Sequence, residues 1–287
     1  MTDADLTAWI GRQERREDRI DANRANGLRA TLESPDPLFR EGDALPPLWH
    51  WTYFWDIAAQ SELGPDGHPA RGGFLPPVDL PRRMWAGGRL KWPGDLMVGG
   101  MAHRESTITS VQEKSGRSGR LVFVTVRHVI SGDAGPAIEE EHDIVYREAP
   151  GKQEASPKPP APPESPVRWQ RRVETDATRL FRYSALTFNG HRIHYDHPYV
   201  TQDEGYPGLV VHGPMMATLM VELLRHSAPQ RRVTGLDFRA RSPVFAPASL
   251  GVFAADAEAA GAETERLETW VTGDAGALAM SGLAELG

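Results

Sequence analysis

The stretch of this sequence best suited to chemistry reads FNGHRIHYD, from Phe188 to Asp196. It places His191 and His194 three residues apart, with Asn189 before them and Asp196 after them. A neutral imidazole with a pKa near 6.5 can take a proton from water and return it, so acid/base chemistry is one interpretation.

A metal site and a solvated loop are the competing interpretations. Residues three apart in an extended or looped segment need not converge, and no second cluster in the sequence supplies further ligands. Acid/base chemistry is therefore favoured, and no metal is predicted.

The apolar segment HGPMMATLMVELLRH follows, from His212 to His226. Gly213 and Pro214 form a good helix start, and the rest is apolar nearly all round, which predicts a buried helix. N–H groups at its N-terminus would stabilise an oxygen that becomes negatively charged. Gly208 and Gly213 would let a ligand approach the backbone, although Gly213-Pro214 could equally be only a helix start.

Polar side chains near the motif could assist in binding. Tyr183, Tyr195 and His212 are candidate hydrogen-bond partners, and each could equally be structural. A substrate with a free carboxylate would need a cation, preferably a bidentate arginine, although charged residues near such loops are usually solvated. The candidate arginines are Arg182, Arg192 and Arg239.

Periodicity predicts the elements that must position these residues. A charged segment from Asp5 to Leu32 predicts a helix, and LWHWTYFW, from Leu48 to Trp55, predicts aromatic packing rather than a pocket. Two β-branched runs predict strands at 120–130 and 142–147 that pair through a Gly/Pro turn. Further on, the predicted elements are a strand near 169–173, a helix at 178–186 and strands at 232–241, 248–258, 263–273 and 275–286.

A proline-rich segment at residues 150–166 predicts a linker, because proline fixes φ and removes N–H donors. The predicted modules are residues 1–149 and 167–287; a surface loop within one domain is the alternative. The order of features at 88–99 resembles that at 235–247, which suggests two copies of one α+β unit.

Composition narrows the class of protein. The 287 residues are 40% hydrophobic and 25% charged, enough for a sizeable core, and a net charge of −7 argues against nucleic-acid binding. Cysteine is absent, so disulfides and thiolate metal sites are excluded. The N-terminus does not read as a signal peptide and no apolar run could span a membrane, so a soluble, cytoplasmic protein is expected.

A family resemblance rests on YSALTFNGHRIHYD followed by GYPGLVVHGPMMATL, and on RRMWAGGRLKW with HDIVYR in the N-terminal part. These segments resemble the MaoC-type dehydratases, in the branch of mesaconyl-C4-CoA hydratase, itaconyl-CoA hydratase and the yeast mitochondrial type-2 hydroxyacyl-thioester dehydratase. The resemblance implies an α+β double hot-dog fold, two antiparallel sheets each wrapped around a long central helix, with a degenerate first module and a catalytic second one.

The same resemblance implies reversible hydration of an enoyl-CoA, of a branched or dicarboxylic C4–C5 acyl group, without a cofactor. An acyl-carrier-protein thioester is the other possible substrate form, and a homodimer is expected. The family signature is an aspartate, four further positions and a histidine; here Asn189 and His194 stand at those positions and are the implied catalytic residues. An amide cannot accept a proton, yet asparagine is usual in this branch. The implied binding residues are Gly208, His212, Gly213, Tyr183, Arg182 and Arg192.

Two other functions stay open for the sequence. Asn189 in place of the aspartate would suit an acyl-thioester binding protein that performs no turnover. A hot-dog thioesterase would need a carboxylate aimed at the thioester carbon, which Asp196 or Asp203 would have to supply. A metal hydrolase is a more distant alternative.

Overall fold

The computed structural model describes residues 5–116, 119–148, 159–257 and 264–287. Its helices are α1 (Ala22–Leu32), α2 (Ala177–Thr187), α3 (His197–Gln202) and α4 (Gly213–Ser227), with 3-10 turns at Leu6–Trp9, Trp49–Thr52, Gln60–Glu62 and Arg192–His194. Its strands are β1 (Gln13–Arg19), β2 (Arg82–Lys91), β3 (Met101–Gly116), β4 (Gly119–Gly132), β5 (Gly135–Arg147), β6 (Val167–Thr175), β7 (Leu209–Val210), β8 (Val233–Ala240), β9 (Phe245–Ala246), β10 (Ala248–Asp256), β11 (Glu265–Thr272) and β12 (Leu278–Leu286).

Ten of these strands form one antiparallel sheet in the order β1-β3-β4-β5-β2-β8-β12-β11-β10-β6. The centre of the sheet is the β2–β8 pair, and both halves have the same order when read outward from it. In each half the outermost strand is followed in the chain by a short helix, α1 or α2. The fold is therefore a duplicated α+β unit, as the similarity between segments 88–99 and 235–247 suggested.

Helix α4 is the core of the C-terminal half. Every residue from Met215 to Leu224 is buried, and the helix packs against β6, β8, β10, β11 and β12. Pro214 occupies the first turn, where its missing N–H costs no hydrogen bond. The predicted helix at 212–226, the helix at 178–186 and the C-terminal strands are thus confirmed.

The N-terminal half lacks a counterpart of α4. All residues from 33 to 81 are described, and their only helical pieces are the turns at Trp49–Thr52 and Gln60–Glu62. Prolines recur along this segment, and each removes a donor that a long helix would need. The expected pair of sheet halves is present, but only one of them wraps around a long central helix.

The helix predicted from Asp5 to Leu32 is wrong. A 3-10 turn ends before Gly11, whose φ of 85° breaks any helix, and β1 then pairs with β3 along the edge of the sheet. Only the last third of the segment is helical, where Asp21 caps α1 by accepting from the Arg24 N–H at 3.0 Å. The charges that suggested a helix instead alternate along an edge strand, where charge discourages further strand pairing.

The linker prediction falls mainly on residues 149–158, which lie outside the described residues. Residues 159–166 lead into β6, and the Leu278 N–H donates to the Pro160 carbonyl at 3.3 Å. Division into modules at 150–166 stays a prediction. Among the described helices, none is long and apolar enough to cross a membrane.

Candidate active site

The predicted loop lies between α2 and α4, and short local hydrogen bonds fix its course. Phe188 adopts the left-handed conformation (φ 51°) that ends α2, and the Asn189 N–H donates to the Ser184 carbonyl at 2.8 Å. Asp196 caps α3 by accepting from the Tyr199 N–H at 3.1 Å. Between these two points the 3-10 turn turns His194 inward, where it is buried.

His194 is held in one tautomer. Its Nδ1 lies 2.7 Å from the Val210 carbonyl, which can only accept, so Nδ1 carries the proton and Nε2 carries the lone pair. Burial lowers the pKa of His194 to about 4, against a smaller opposing effect of the Val210 hydrogen bond. At neutral pH the ring is therefore an uncharged base.

His212 supports the His194 ring from the N-terminus of α4. The two imidazoles stack with centroids 3.7 Å apart at 18°, and His212 Nε2 lies 2.8 Å from the Ser184 hydroxyl. The ring of Tyr183 lies with its centroid 4.9 Å from that of His212. His212 and Tyr183 therefore support loop 188–196, named the catalytic loop for its predicted role.

Asn189 is presented differently from a catalytic aspartate. Its Oδ1 accepts the His191 N–H at 3.0 Å, which leaves the NH2 group as the donor available to a ligand. With Tyr183 and Pro214, Asn189 lines a cavity of 290 Å³. The predicted asparagine and the start of α4 therefore meet at one site, while His194 lies outside this lining and stacks on His212, the residue before α4.

A loop that the sequence analysis missed lies against the catalytic loop. The ring of His68 is 4.2 Å from that of His191, and Asp66 Oδ2 is 3.0 Å from His68 Nδ1. The Arg192 N–H donates to the Asp66 carbonyl at 2.9 Å. Gly67 has a φ of 87°, and a Cβ there would overlap the Gly190 carbonyl oxygen, so only glycine permits this contact.

This contact corrects the expectation that His191 would find no further ligands. One ligand atom from each of Asp66, His68 and His191 lies within 4.8 Å of the others, an arrangement that could hold a cation. Burial lowers the pKa of His191 to about 2 and lowers that of His68. The sequence signal was the DGH tripeptide at 66–68, which only the fold brings to the motif.

The opposite wall of the cavity comes from the N-terminal half, where the second central helix is lacking. Its most buried charge is Glu140, whose carboxylate lies 3.0 Å from His50 Nε2 and accepts the Trp51 Nε1–H at 2.8 Å. His142 Nε2 contacts the same carboxylate. Buried charge of this kind persists only when it is fully hydrogen-bonded, as here.

The tryptophan-rich segment from Leu48 to Trp55 contributes both to core packing and to the cavity lining. Trp49 is buried in the core and donates from Nε1 to Glu222 on α4 at 3.1 Å, as packing predicts. Trp51 and Trp55 line the cavity, and Trp55 stacks on Phe188 of the catalytic loop with centroids 4.9 Å apart.

The remaining residues predicted for the site lie outside the cavity lining. Arg182 and Arg239 are exposed and lie outside the cavity lining. Arg192 forms an ion pair with Asp196 at 2.7 Å and lies over the ring of Tyr199. The structure also places three residues in supporting roles: Gly208 against the Ala246 carbonyl, Gly213 as the first residue of α4, and Tyr195 donating from its hydroxyl to the Gly190 carbonyl at 2.9 Å.

Comparison with known proteins now adds to this geometry. The chain is 48% identical over its full length, and over the full length of the relative, to mesaconyl-C(4)-CoA hydratase of Chloroflexus aurantiacus. It is 28% identical to the mitochondrial hydroxyacyl-thioester dehydratase type 2 of Schizosaccharomyces pombe, covering 70% of this chain and 75% of that one.

A solved structure from Mycobacterium tuberculosis, described as a double hotdog fold, superposes with a TM-score of 0.65 at 12% identity and covers 96% of each chain. At this identity the likeness shows the fold, and the expected double hot-dog is confirmed. The sequence profile of hydroxyacyl-thioester dehydratase type 2 matches residues 48–246, across both halves of the sheet. The chain therefore belongs to the hydroxyacyl-thioester dehydratase type 2 family and is a hydro-lyase that interconverts enoyl and hydroxyacyl thioesters.

Proposed function

We propose that this enzyme hydrates a short, branched or dicarboxylic enoyl-CoA of the C4–C5 class, such as mesaconyl-C4-CoA or itaconyl-CoA. The observation that carries the proposal is the cavity itself. It joins Asn189 and the start of α4 to a polar wall that contains Glu140 and His142. Its volume of 290 Å³ and its polar wall suit a short polar acyl group better than a long alkyl chain.

The thioester carbonyl is assigned to the N-terminus of α4. The His212 side chain does not cap this helix, and Met216 already donates to the His212 carbonyl. Since Pro214 has no N–H, the donors of the first turn are Gly213 and Met215. Their N–H groups and the helix dipole would stabilise negative charge on the thioester oxygen as the double bond is attacked.

Water addition is assigned to His194 and Asn189. Nε2 of His194 takes one proton of the water as its oxygen bonds to the β-carbon, and the electron pair of the double bond moves toward the thioester oxygen. The imidazolium then returns that proton to the α-carbon, so one water is added and the base is restored. Asn189 holds the water or the substrate through its NH2 group, a task that does not require a carboxylate.

A thioesterase mechanism gains no support from the two carboxylates considered for it. Asp196 accepts hydrogen bonds from the Tyr199 N–H and from the Arg192 guanidinium. Asp203 is exposed and follows α3, outside the cavity lining. Neither side chain is therefore aimed at a thioester in the cavity.

The test follows enoyl-thioester absorbance with mesaconyl-C4-CoA, itaconyl-CoA and crotonyl-CoA while free thiol is measured in parallel. We expect at least one dicarboxylic substrate to be hydrated without thiol release. His194→Ala should slow hydration by ~100-fold or more, the contribution of a general acid/base. The matched control is His103→Ala, because His103 is exposed on β3, and it should behave as wild type.

Three outcomes would contradict the proposal. Thiol release would indicate hydrolysis, and binding without consumption of any thioester would indicate a binding protein. Equal loss of activity in both histidine variants would remove the special role of His194. Parallel assays with the same acyl group on acyl-carrier protein decide which carrier the enzyme accepts.

A homodimer in the cytoplasm is the remaining part of the proposal. The sheet ends in β1 and β6, whose outer edges have no partner strand within the described residues. Because the charges along β1 discourage pairing at that edge, β6 is the edge proposed for association. Light scattering after size-exclusion chromatography should give twice the chain mass of 31.7 kDa. Cell fractionation tests the location.

A further inference from the structure

The cavity is lined by one positively charged side chain, and it belongs to none of the arginines that the sequence analysis proposed near the motif. Arg104 on β3 lines the cavity together with Asn189, and it is the one Lys or Arg among the lining residues in the described parts of the chain. Alternate residues of a strand lie on the same face of a sheet. Ala102 and Ser106 are both buried, so the Arg104 side chain, which lies between theirs, faces the protein interior as well.

The charge of Arg104 is poorly matched by its neighbours. Its closest carboxylate is Glu14, 3.5 Å from Nη2, and Glu14 already pairs with Arg16 at 3.2 Å. Its Nε is buried and has no hydrogen-bond partner among the described residues. The guanidinium lies over the ring of Phe54, 5.4 Å from the centroid. A buried donor left unpaired is costly, so this one is suited to an incoming anion.

The acidic side chains of the cavity cannot satisfy Arg104, because other groups already bind them. Glu140 is held by His50, Trp51 and His142, and Asp56 pairs with Arg16 at 2.8 Å. No carboxylate of the described cavity lining is therefore free to neutralise the positive charge of Arg104.

The residues around Arg104 are polar, whereas the corresponding face in the other half of the duplicated fold is apolar. Ser106, His128 and Glu140 stand directly opposite one another on β3, β4 and β5, and His128 Nδ1 lies 2.8 Å from the Ser106 hydroxyl. In the other half the face beneath α4 is apolar, with residues such as Leu250 and Leu267 fully buried. Polar groups thus replace apolar ones where the central helix is lacking.

We propose that Arg104 binds the free carboxylate of a dicarboxylic acyl thioester, with His128 and Glu140 forming the polar end of the acyl pocket and Ser106 hydrogen-bonded to His128. This rests on the proposed function and deepens it, since it names the residue that selects carboxylated acyl groups. A guanidinium binds a carboxylate bidentately, and a buried pair of this kind rejects a substrate that carries a methyl group there instead.

The test compares two saturated probes, used freshly prepared, that cannot be hydrated and differ only at the acyl end: succinyl-CoA carries a carboxylate where butyryl-CoA carries a methyl group. Dissociation constants are measured by direct binding for wild type, Arg104→Gln and Arg104→Lys. Arg104→Gln should weaken succinyl-CoA by ~30-fold or more, the loss expected when one partner of a buried charge pair is removed, and butyryl-CoA by a much smaller factor. Arg104→Lys should recover part of the difference. The matched control is Arg127→Gln, whose side chain is half exposed on β4 and pairs with Glu139.

Equal weakening of both probes would give Arg104 a structural role and overturn the proposal, as would an unchanged succinyl-CoA constant in Arg104→Gln. Wild type that binds succinyl-CoA no more tightly than butyryl-CoA would also overturn it. Fumaryl-CoA and crotonyl-CoA form the matching pair of substrates. If wild type hydrates neither but still prefers succinyl-CoA through Arg104, the proposed function fails while the carboxylate site stands.

Discussion

At the scale of single residues, the proposed mechanism gives the whole burden of proton transfer to His194, because Asn189 stands where the family signature has an aspartate. The Asn189 oxygen is engaged by the His191 N–H, so its amide can orient water but cannot remove a proton from it. His194 presents a lone pair at Nε2 because the Val210 carbonyl holds the proton on Nδ1. Catalysis by one base predicts that the pH dependence follows this imidazole.

The acid limb of kcat/KM should therefore lie well below the ordinary histidine pKa of 6.5. Burial lowers the pKa of His194 to about 4, and only the unprotonated ring can accept a proton from water. Activity should hold as pH falls from 7 to 5 and decline as it passes through about 4. Crotonyl-CoA is the substrate of choice for this profile, because its acyl group does not titrate. A limb near 6.5 would assign the reaction to an exposed imidazole.

Acid unfolding must be separated from this limb, because the same burial couples stability to pH. The unfolded chain binds a proton at His194 near pH 6.5, whereas the folded chain resists it until about 4. His194 thus contributes its full stability above 6.5 and loses that contribution as pH falls through this window. Circular dichroism and urea titrations at each pH show whether the protein is still folded where activity is lost.

At the scale of elements, the contact between loop 64–68 and the catalytic loop can be tested with a single substitution. Gly67→Ala adds a Cβ that overlaps the Gly190 carbonyl oxygen, and it also strains a residue whose φ is 87°. The strain alone costs about 1–2 kcal/mol for a left-handed residue. We expect loss of most of the hydratase activity, because the clash would push Asn189 away from the cavity.

Gly42→Ala is the matched control, because Gly42 has a φ of 90° and a Cβ there would meet nothing within 4 Å. Gly42→Ala should lower the free energy of unfolding by about the 1–2 kcal/mol that the backbone strain alone costs. It should leave kcat/KM unchanged. Comparison of the two variants isolates the clash from the backbone strain. If both variants keep full activity, loop 64–68 is not needed to hold the catalytic loop.

The elements also show how far the sequence alone could lead. Helix α4 and strands β8, β10, β11 and β12 were predictable because their apolar patterns are local, and His194 could be proposed as a site residue because its motif lies within nine residues. Strand β1 was mistaken for helix because charge alternation does not distinguish the two when both faces are partly exposed. Arg104 and His68 could not be assigned, since they reach the site only through strand pairing and loop packing across more than 80 residues of chain.

At the scale of the whole molecule, the two halves share one sheet and one buried core. β2 and β8 pair across the middle, with Leu90 opposite Leu236, and a single buried core contains residues of both halves. Arg225 of α4 forms an ion pair with Asp36 at 3.1 Å. The site itself is shared, since the catalytic loop and the wall that carries Arg104 come from different halves.

Cutting the chain between the halves should therefore leave the enzyme assembled. We expect that a protease site introduced within residues 150–158 can be cleaved completely, after which the two fragments, which contain residues 1–149 and 167–287, still elute together in size-exclusion chromatography. Activity should match that of the uncut protein, because both walls of the cavity remain in register through the β2–β8 pair. The fragments should separate only in denaturant.

The reason is energetic as well as geometric. Separation would expose the paired edges of β2 and β8 and core residues that both halves bury together, at a cost of about 25 cal/mol for each Å² of apolar surface. Association of two cut chains costs translational entropy, which a core of this kind repays. Fragments that elute apart in native buffer would mean that the linker, rather than the β2–β8 pair and the shared core, holds the halves together.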